Sequence, residues 1–341
     1  MKILYPEYCQ RFSCLAGACP DSCCEAWEIC IDPDTVSFYR SVPGRLGERL
    51  RSALSVDEDG DAYFPLVKGK CPFLNPDRLC DVHAALGESA TSAVCRQYPY
   101  FIEEYEGFTE RCPSLSCPAA AALIFAEPLS ADVYPVPPET EDGLLNLLIA
   151  GRAAALQTAA ECDFAESAAR IRAMAEDLQE IADGFDPSDI VYDFDAVISS
   201  SVYAETTTED QTAFLALRDR YLRFLLSDAE ILTEEWRFLL ERTVDHPFLA
   251  SREADFSGKE PPPDAVKRAL RYFLYRYFLK PVNDCDILLW TAFIMQSVAA
   301  CTEISRRTGI GFETVARRYS KEIEHDPENI DRILDFLAEQ L

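Results

Sequence analysis

Four cysteines within eleven residues, Cys14, Cys19, Cys23 and Cys24 in the run CLAGACPDSCC, constrain this chain more than any other feature. Packing gives no helix or strand a reason to carry thiols so densely. A disulfide between the neighbours Cys23 and Cys24 would strain the peptide joining them. A short loop can instead turn several sulfurs toward a soft metal, either zinc or an iron–sulfur cluster. The pattern continues with Cys71 and Cys80 in KCPFLNPDRLC, Cys95 in AVCRQYP, and Cys112 and Cys117 in RCPSLSC. Eleven of the fourteen cysteines precede residue 118, so the chain reads as a cysteine-rich, metal-binding head on a cysteine-poor body.

A formal charge of −27 opposes a protein that tracks nucleic-acid backbone, because phosphate binding rests on clustered Lys and Arg. It suits a solvated acidic surface or a basic, lysine-bearing partner. The opening MKILYPEYCQRF has no apolar run of signal-peptide length. The apolar stretch from Ile287 to Ala300 is too short to span a bilayer and is interrupted by Thr291, Gln296 and Ser297. No membrane and no nucleic acid are therefore expected as partners, and the expected location is cytoplasmic, where thiols stay reduced.

The expected fold is mainly α: an irregular metal-binding head with a small β-hairpin over residues 1–126, a linker over 127–142, and an α-helical body over 143–341. Trp27–Ile31 reads as a short strand, and Asp32-Pro33 as the start of a helix. The alternating runs FIEEY and FTER, joined at Glu106-Gly107, predict the hairpin. Pro128, Pro135, Pro137 and Pro138 mark the linker. In the body, Leu144, Leu147, Leu148 and Ala155 share one helical face, and Phe214, Leu217, Tyr221, Phe224 and Leu225 another. A loop from Gly184 to Thr208 separates the two. Asp264 is expected to cap a helix whose Lys267, Arg268, Arg271, Arg276 and Lys280 form a basic cluster. Cys285–Arg306 reads as the central core helix, and Asp326-Pro327 as the cap of the last one. The segment from Glu303 to Tyr319 has the lengths of a helix-turn-helix, against which the acidic total speaks.

The spacing of a radical S-adenosylmethionine enzyme is absent, because the position due after Cys19 and Cys23 is Ala26. Gly309-Ile310-Gly311 is a lone pair of loop glycines rather than a nucleotide fingerprint. The run YCQRFSCLAGACPDSCCEAWEICID resembles the opening of the flagellin lysine-N-methylase family. The resemblance continues through CPFLNPDRLCDVHAALG, CRQYP and LSCPAAAALI, and returns in YRYFLK and YSKEIEHDPENI near the far end. It covers most of the head and both ends, with little over residues 140 to 260.

The resemblance implies methyl transfer from S-adenosylmethionine to lysines of flagellin, or of another lysine-bearing protein, with an iron–sulfur cluster of the 4Fe-4S type; zinc is the alternative metal. It makes Cys14, Cys19, Cys23, Cys24, Cys71, Cys80, Cys95 and Cys117 the candidate ligands, more than one cluster needs. Cys9, Cys30 and Cys112 fall outside that ladder, and Cys162, Cys285 and Cys301 read as small buried hydrophobes. Aromatic faces suit a sulfonium, so Trp27, Tyr98 and Tyr100 are candidates for the cofactor site, beside an ordinary packing role. Glu322 and His325, spaced i, i+3, are the catalytic candidates; His83, beside the second cysteine knot, is a ligand candidate beside a surface hydrogen-bonding role, and His246, before a proline in a loop, suggests no function. The chain departs from the family at Tyr100, Ala119 and Ala122, where charged residues are usual. A non-catalytic iron–sulfur or zinc-binding module is the competing reading.

Overall fold

The structure, a computed structural model, describes residues 2–184, 208–244 and 260–341. Its first strand, β1 (Lys2–Leu4), precedes the irregular cysteine loop, and β2 (Ile29–Ile31) follows it. Asp32 then caps α1 (Pro33–Ser41): its carboxylate accepts from the Thr35 backbone N–H at 3.0 Å, with proline at the first helical position. After α2 (Gly44–Ala53) come β3 (Ser55–Val56) and β4 (Ala62–Phe64), which pair antiparallel in the order β2-β4-β3. Ile29, Ile31 and Phe64 turn inward with Tyr39, Leu50, Phe73 and Val82 to make a small core confined to residues 29–90.

Two short helices, α3 (Asp81–Leu86) and α4 (Ala93–Gln97), lead to the hairpin. It forms as expected from β5 (Tyr100–Tyr105) and β6 (Phe108–Pro113), turning where Gly107 takes φ +79°, a conformation that costs glycine little. β1 adds to β6 in parallel, Ile3 opposite Thr109. Helix α5 (Pro118–Ile124) ends this part. Leu4, Tyr8, Phe108, Leu115 and Ile124 do not join the small core. They pack into the large one that the body builds.

The body comprises α6 (Gly143–Glu161), α7 (Phe164–Asp183), α8 (Thr208–Ser227), α9 (Glu234–Thr243), α10 (Pro263–Tyr277), α11 (Ile287–Thr308), α12 (Phe312–Tyr319) and α13 (Pro327–Ala338). Helix α11 packs against α7, α10, α9, α12, α13 and α8, which is why it is apolar on every side. By length and composition it could cross a membrane, yet its hydrophobic window is 78% buried within the protein. Asp326 caps α13 as expected, accepting from Asn329 N–H at 3.1 Å. The loop read between Gly184 and Thr208 falls almost wholly outside the described residues, as does His246.

Three expectations are corrected. The Pro-rich stretch after residue 126 is laid into the body: Glu127, Val133 and Tyr134 are buried, and Arg268 donates to the Glu127 carbonyl at 2.9 Å. Asp264 does not cap α10, because Pro263 already starts it and Pro262 stands at the cap; Asp264 lies in the first turn, where its charge favours the dipole. Cys285, read as a small buried hydrophobe, is exposed just before α11. Basic side chains of α10 meet acids. Arg271 is buried beside Glu127, and Arg276 and Lys280 both reach Glu103 on the hairpin, at 2.6 and 2.7 Å.

Candidate functional site at the head–body junction

The cysteine loop is folded back on the second cysteine knot by its backbone. Cys71 N–H donates to the Cys24 carbonyl at 2.8 Å, and Ala26 N–H to that of Gly69 at 3.0 Å. Asp81 N–H donates to Phe73 O, which sets Cys80 just before α3. Ser92 caps α4 through the Cys95 N–H. These four local arrangements bring Cys24, Cys71, Cys80 and Cys95 to the wall of one small cavity, otherwise lined by Ile29, Ile31, Tyr39, Phe64, Phe73, Val82, Thr91 and Ser92. Burial pushes the Cys71 thiol up to about 11 and raises that of Cys95 as well.

Four thiols in a mostly apolar shell are the donor set that an iron–sulfur group takes. Among the described residues no three His, Cys, Asp or Glu side chains stand close enough to hold one metal ion. A tetrahedral zinc would need sulfurs about 3.8 Å apart, from a Zn–S bond of about 2.3 Å. Thiolates at the corners of a cluster stand wider. All fourteen cysteines are free of disulfides.

The remaining thiols of the ladder lie elsewhere. Cys14, Cys19 and Cys117 form a separate group, near enough that Cys14 and Cys19 add to the burial that raises Cys117. Cys23 sits between the two groups, its thiol raised first by a hydrogen bond with Cys24 and then by burial. Of the eight candidate ligands, Cys24, Cys71, Cys80 and Cys95 are the four that line this cavity.

Beside these thiols the last elements of the body meet the head through one irregular turn. Residues Ser320–Glu324 form a π-turn between α12 and α13, and all five are buried. Such turns aim successive side chains in directions that an α-helix would not. Ser320 Oγ lies 3.1 Å from Ser114 Oγ and accepts from Ser116 N–H at 3.0 Å. Lys321 pairs with Asp21 of the cysteine loop at 2.9 Å. Glu324 accepts from the hydroxyls of Tyr272 and Tyr277, each at 3.0 Å. His325 follows, with Nε2 2.8 Å from Ser114 Oγ and 3.0 Å from Ser116 Oγ. Burial, then the charges of Arg276 and Lys321, lower His325 to about 4, so its ring is neutral at pH 7.

The structure brings together three of the residues singled out from sequence. The rings of Trp27 and Tyr98 lie 4.8 and 5.8 Å from that of His325, and 5.9 Å from each other, with Phe101 closing the group. Trp27 Nε1 donates to the Cys23 carbonyl at 2.8 Å, which ties the aromatic group to the cysteine loop. Tyr100 points away and packs against Phe12. Glu322 also turns away: it accepts from Leu232 N–H at 2.7 Å and from the Thr233 hydroxyl, so it and His325 share no site. Burial pushes Glu322 up to about 7. His83 is exposed on α3, and Ala122 is exposed on α5. Asp21, Ser114, Ser116, Ser320, Lys321 and Glu324 escaped the sequence reading; only the alternation of Ser114 and Ser116 before Cys117 hinted at a shared face.

Comparison with known proteins places this geometry. The chain is 30% identical over 135 residues to the flagellar biosynthetic protein FliU of Salmonella muenchen, in an alignment taking in 36% of this chain and 76% of that protein. The chain belongs to the flagellin lysine-N-methylase family. It is likewise 31% identical over 135 residues to the lysine-N-methylase of Salmonella typhimurium, and 30% identical to that of Salmonella choleraesuis. Each of those two alignments takes in 36% of this chain but spans only about a third of the relative, 32% of its length. No family model matches the chain, and no solved structure matches it.

Proposed function

We propose that this protein is a cytoplasmic protein-lysine N-methyltransferase that transfers a methyl group from S-adenosylmethionine to lysines of flagellin or another lysine-bearing protein. The observation that carries the reading is the match to proteins named lysine-N-methylase. In the proposed reaction the neutral lysine Nζ attacks the sulfonium methyl, the sulfur keeps the bonding pair and leaves as the thioether, and the lysine proton is released. Tyr98 would face the sulfonium, an arrangement favoured by the negative face of its ring, with Trp27, whose ring face carries the Lys321 ammonium at 5.1 Å, beside it. Neutral His325, held by Ser114 and Ser116, would pack against the Tyr98 ring without adding a charge there. Glu322 belongs to the scaffold, as its partners on the 232–233 segment require.

Cys24, Cys71, Cys80 and Cys95 would hold the iron–sulfur cluster, which with all four irons ligated by thiolate would supply a redox-active centre when bound. A non-catalytic module remains the second reading, because Tyr100, Ala119 and Ala122 stand where charges are usual in the family. Incubation of purified protein with flagellin and methyl-labelled S-adenosylmethionine separates the two. Label is expected on flagellin lysines. Failure of the protein to bind the methyl donor at all would contradict the enzyme.

A further inference from the structure

Lys321 is a lysine held where a lysine-modifying protein has most use for one. Its side chain is 11% exposed, and its ammonium lies 5.1 Å over the Trp27 ring and 2.9 Å from Asp21 Oδ1. The ring face and the carboxylate are the two groups that recognise an alkylammonium: one by the quadrupole, the other by charge and hydrogen bonding. The Trp27 ring itself stands against His325 and Tyr98, so its position is fixed whether or not the ammonium is present. The carboxylate of Asp21 is a third exposed, so the pair reaches solvent through that side chain.

Anchoring the cysteine loop to the body does not need Lys321. Arg317, one turn earlier, donates to the other oxygen of the same carboxylate at 3.1 Å. Two cations on one acid leave the second free to be exchanged without breaking the junction. We infer that Trp27 and Asp21 form a subsite for the ammonium of an incoming protein lysine, and that Lys321 occupies it until such a lysine displaces it. The inference rests on the reading that the protein acts on lysine side chains, and it gives that reading an entry point: a substrate lysine reaches the aromatic group and the thiols by taking the place of Lys321.

Two measurements test it. Calorimetric titration with Nα-acetyl-lysine amide is expected to give a dissociation constant at least tenfold lower for Lys321→Ala than for the wild type. Lys321→Arg, which keeps a cation on Asp21, should bind as weakly as the wild type, and Lys321→Ala with Asp21→Asn should lose the gain. Equal binding of the norleucine analogue, or no gain in a Lys321→Ala protein with native circular dichroism, would overturn the inference. Should that variant fail to fold, the wild type answers instead. Acylation of Lys321, read by mass spectrometry, should rise severalfold when Nα-acetyl-Nε-dimethyl-lysine amide saturates the protein, and an unchanged rate would overturn the inference. Lysine binding without methyl transfer would leave the subsite standing and remove the enzyme; methyl transfer without displacement of Lys321 would do the reverse.

Discussion

Replacing Arg152 by leucine is expected to destabilise the protein by about 3–5 kcal/mol, the cost of leaving one member of a buried pair uncompensated. Arg152 meets Glu110 with both arms, at 2.7 and 2.6 Å, and donates to the Tyr275 carbonyl at 3.1 Å. Its side chain is 2% exposed and that of Glu110 is 5% exposed, so water cannot rescue the survivor. The pair joins α6 to β6, and thus the body to the hairpin that carries Tyr98 and Ser114 at its ends. Denaturant unfolding should show the loss in the midpoint, with Glu110→Leu comparably harmful. The double variant Arg152→Leu, Glu110→Leu should recover much of it, because removing both charges leaves neither orphaned. A double variant as unstable as the sum of the singles would contradict this account of the pair.

The π-turn makes a second large effect visible through pH. Glu322, pushed up to about 7 by burial, binds its proton more tightly folded than unfolded. Its contribution to stability is full below the ordinary carboxyl range and is lost as pH rises through about 7. His325, lowered to about 4, acts in the opposite sense: its contribution is full above the ordinary imidazole value and is lost as pH falls toward 4. The two slopes oppose each other across the same window, where Glu127, also pushed up to about 7 by burial, adds to that of Glu322. The variants separate them. Glu322→Gln should make stability rise between pH 5 and 7, and His325→Gln should make it fall, each by up to about 3 kcal/mol relative to the wild type. Parallel pH profiles for all three proteins would show that neither group is perturbed as described.

Much of the framework was legible because it is local. The Asp32 and Asp326 caps, the hairpin around Glu106-Gly107 and the helix through Cys285–Arg306 depend on residues a few positions apart, or on one unbroken apolar run. The junction was not legible, since its bonds join distant parts of the chain: Ser114 to Ser320, Asp21 to Lys321, Arg276 to Glu103. In the sequence the arginines of α10 read only as a basic cluster, whereas acids contributed by the hairpin and by residue 127 let them lie inside. Likewise the cysteine ladder announced thiol chemistry without showing how it divides. Which sulfurs line one cavity is set by the turns at Cys24, Cys80 and Cys95, not by spacing alone.

The central claim, an iron–sulfur centre on Cys24, Cys71, Cys80 and Cys95, is tested most directly by the iron and acid-labile sulfide content of anaerobically prepared protein. The account predicts brown protein with about four of each per chain, falling to near zero when Cys71 and Cys95 are both replaced by serine and unchanged when Cys301 is. A colourless wild-type protein carrying stoichiometric zinc, or iron that survives the double replacement, would contradict it.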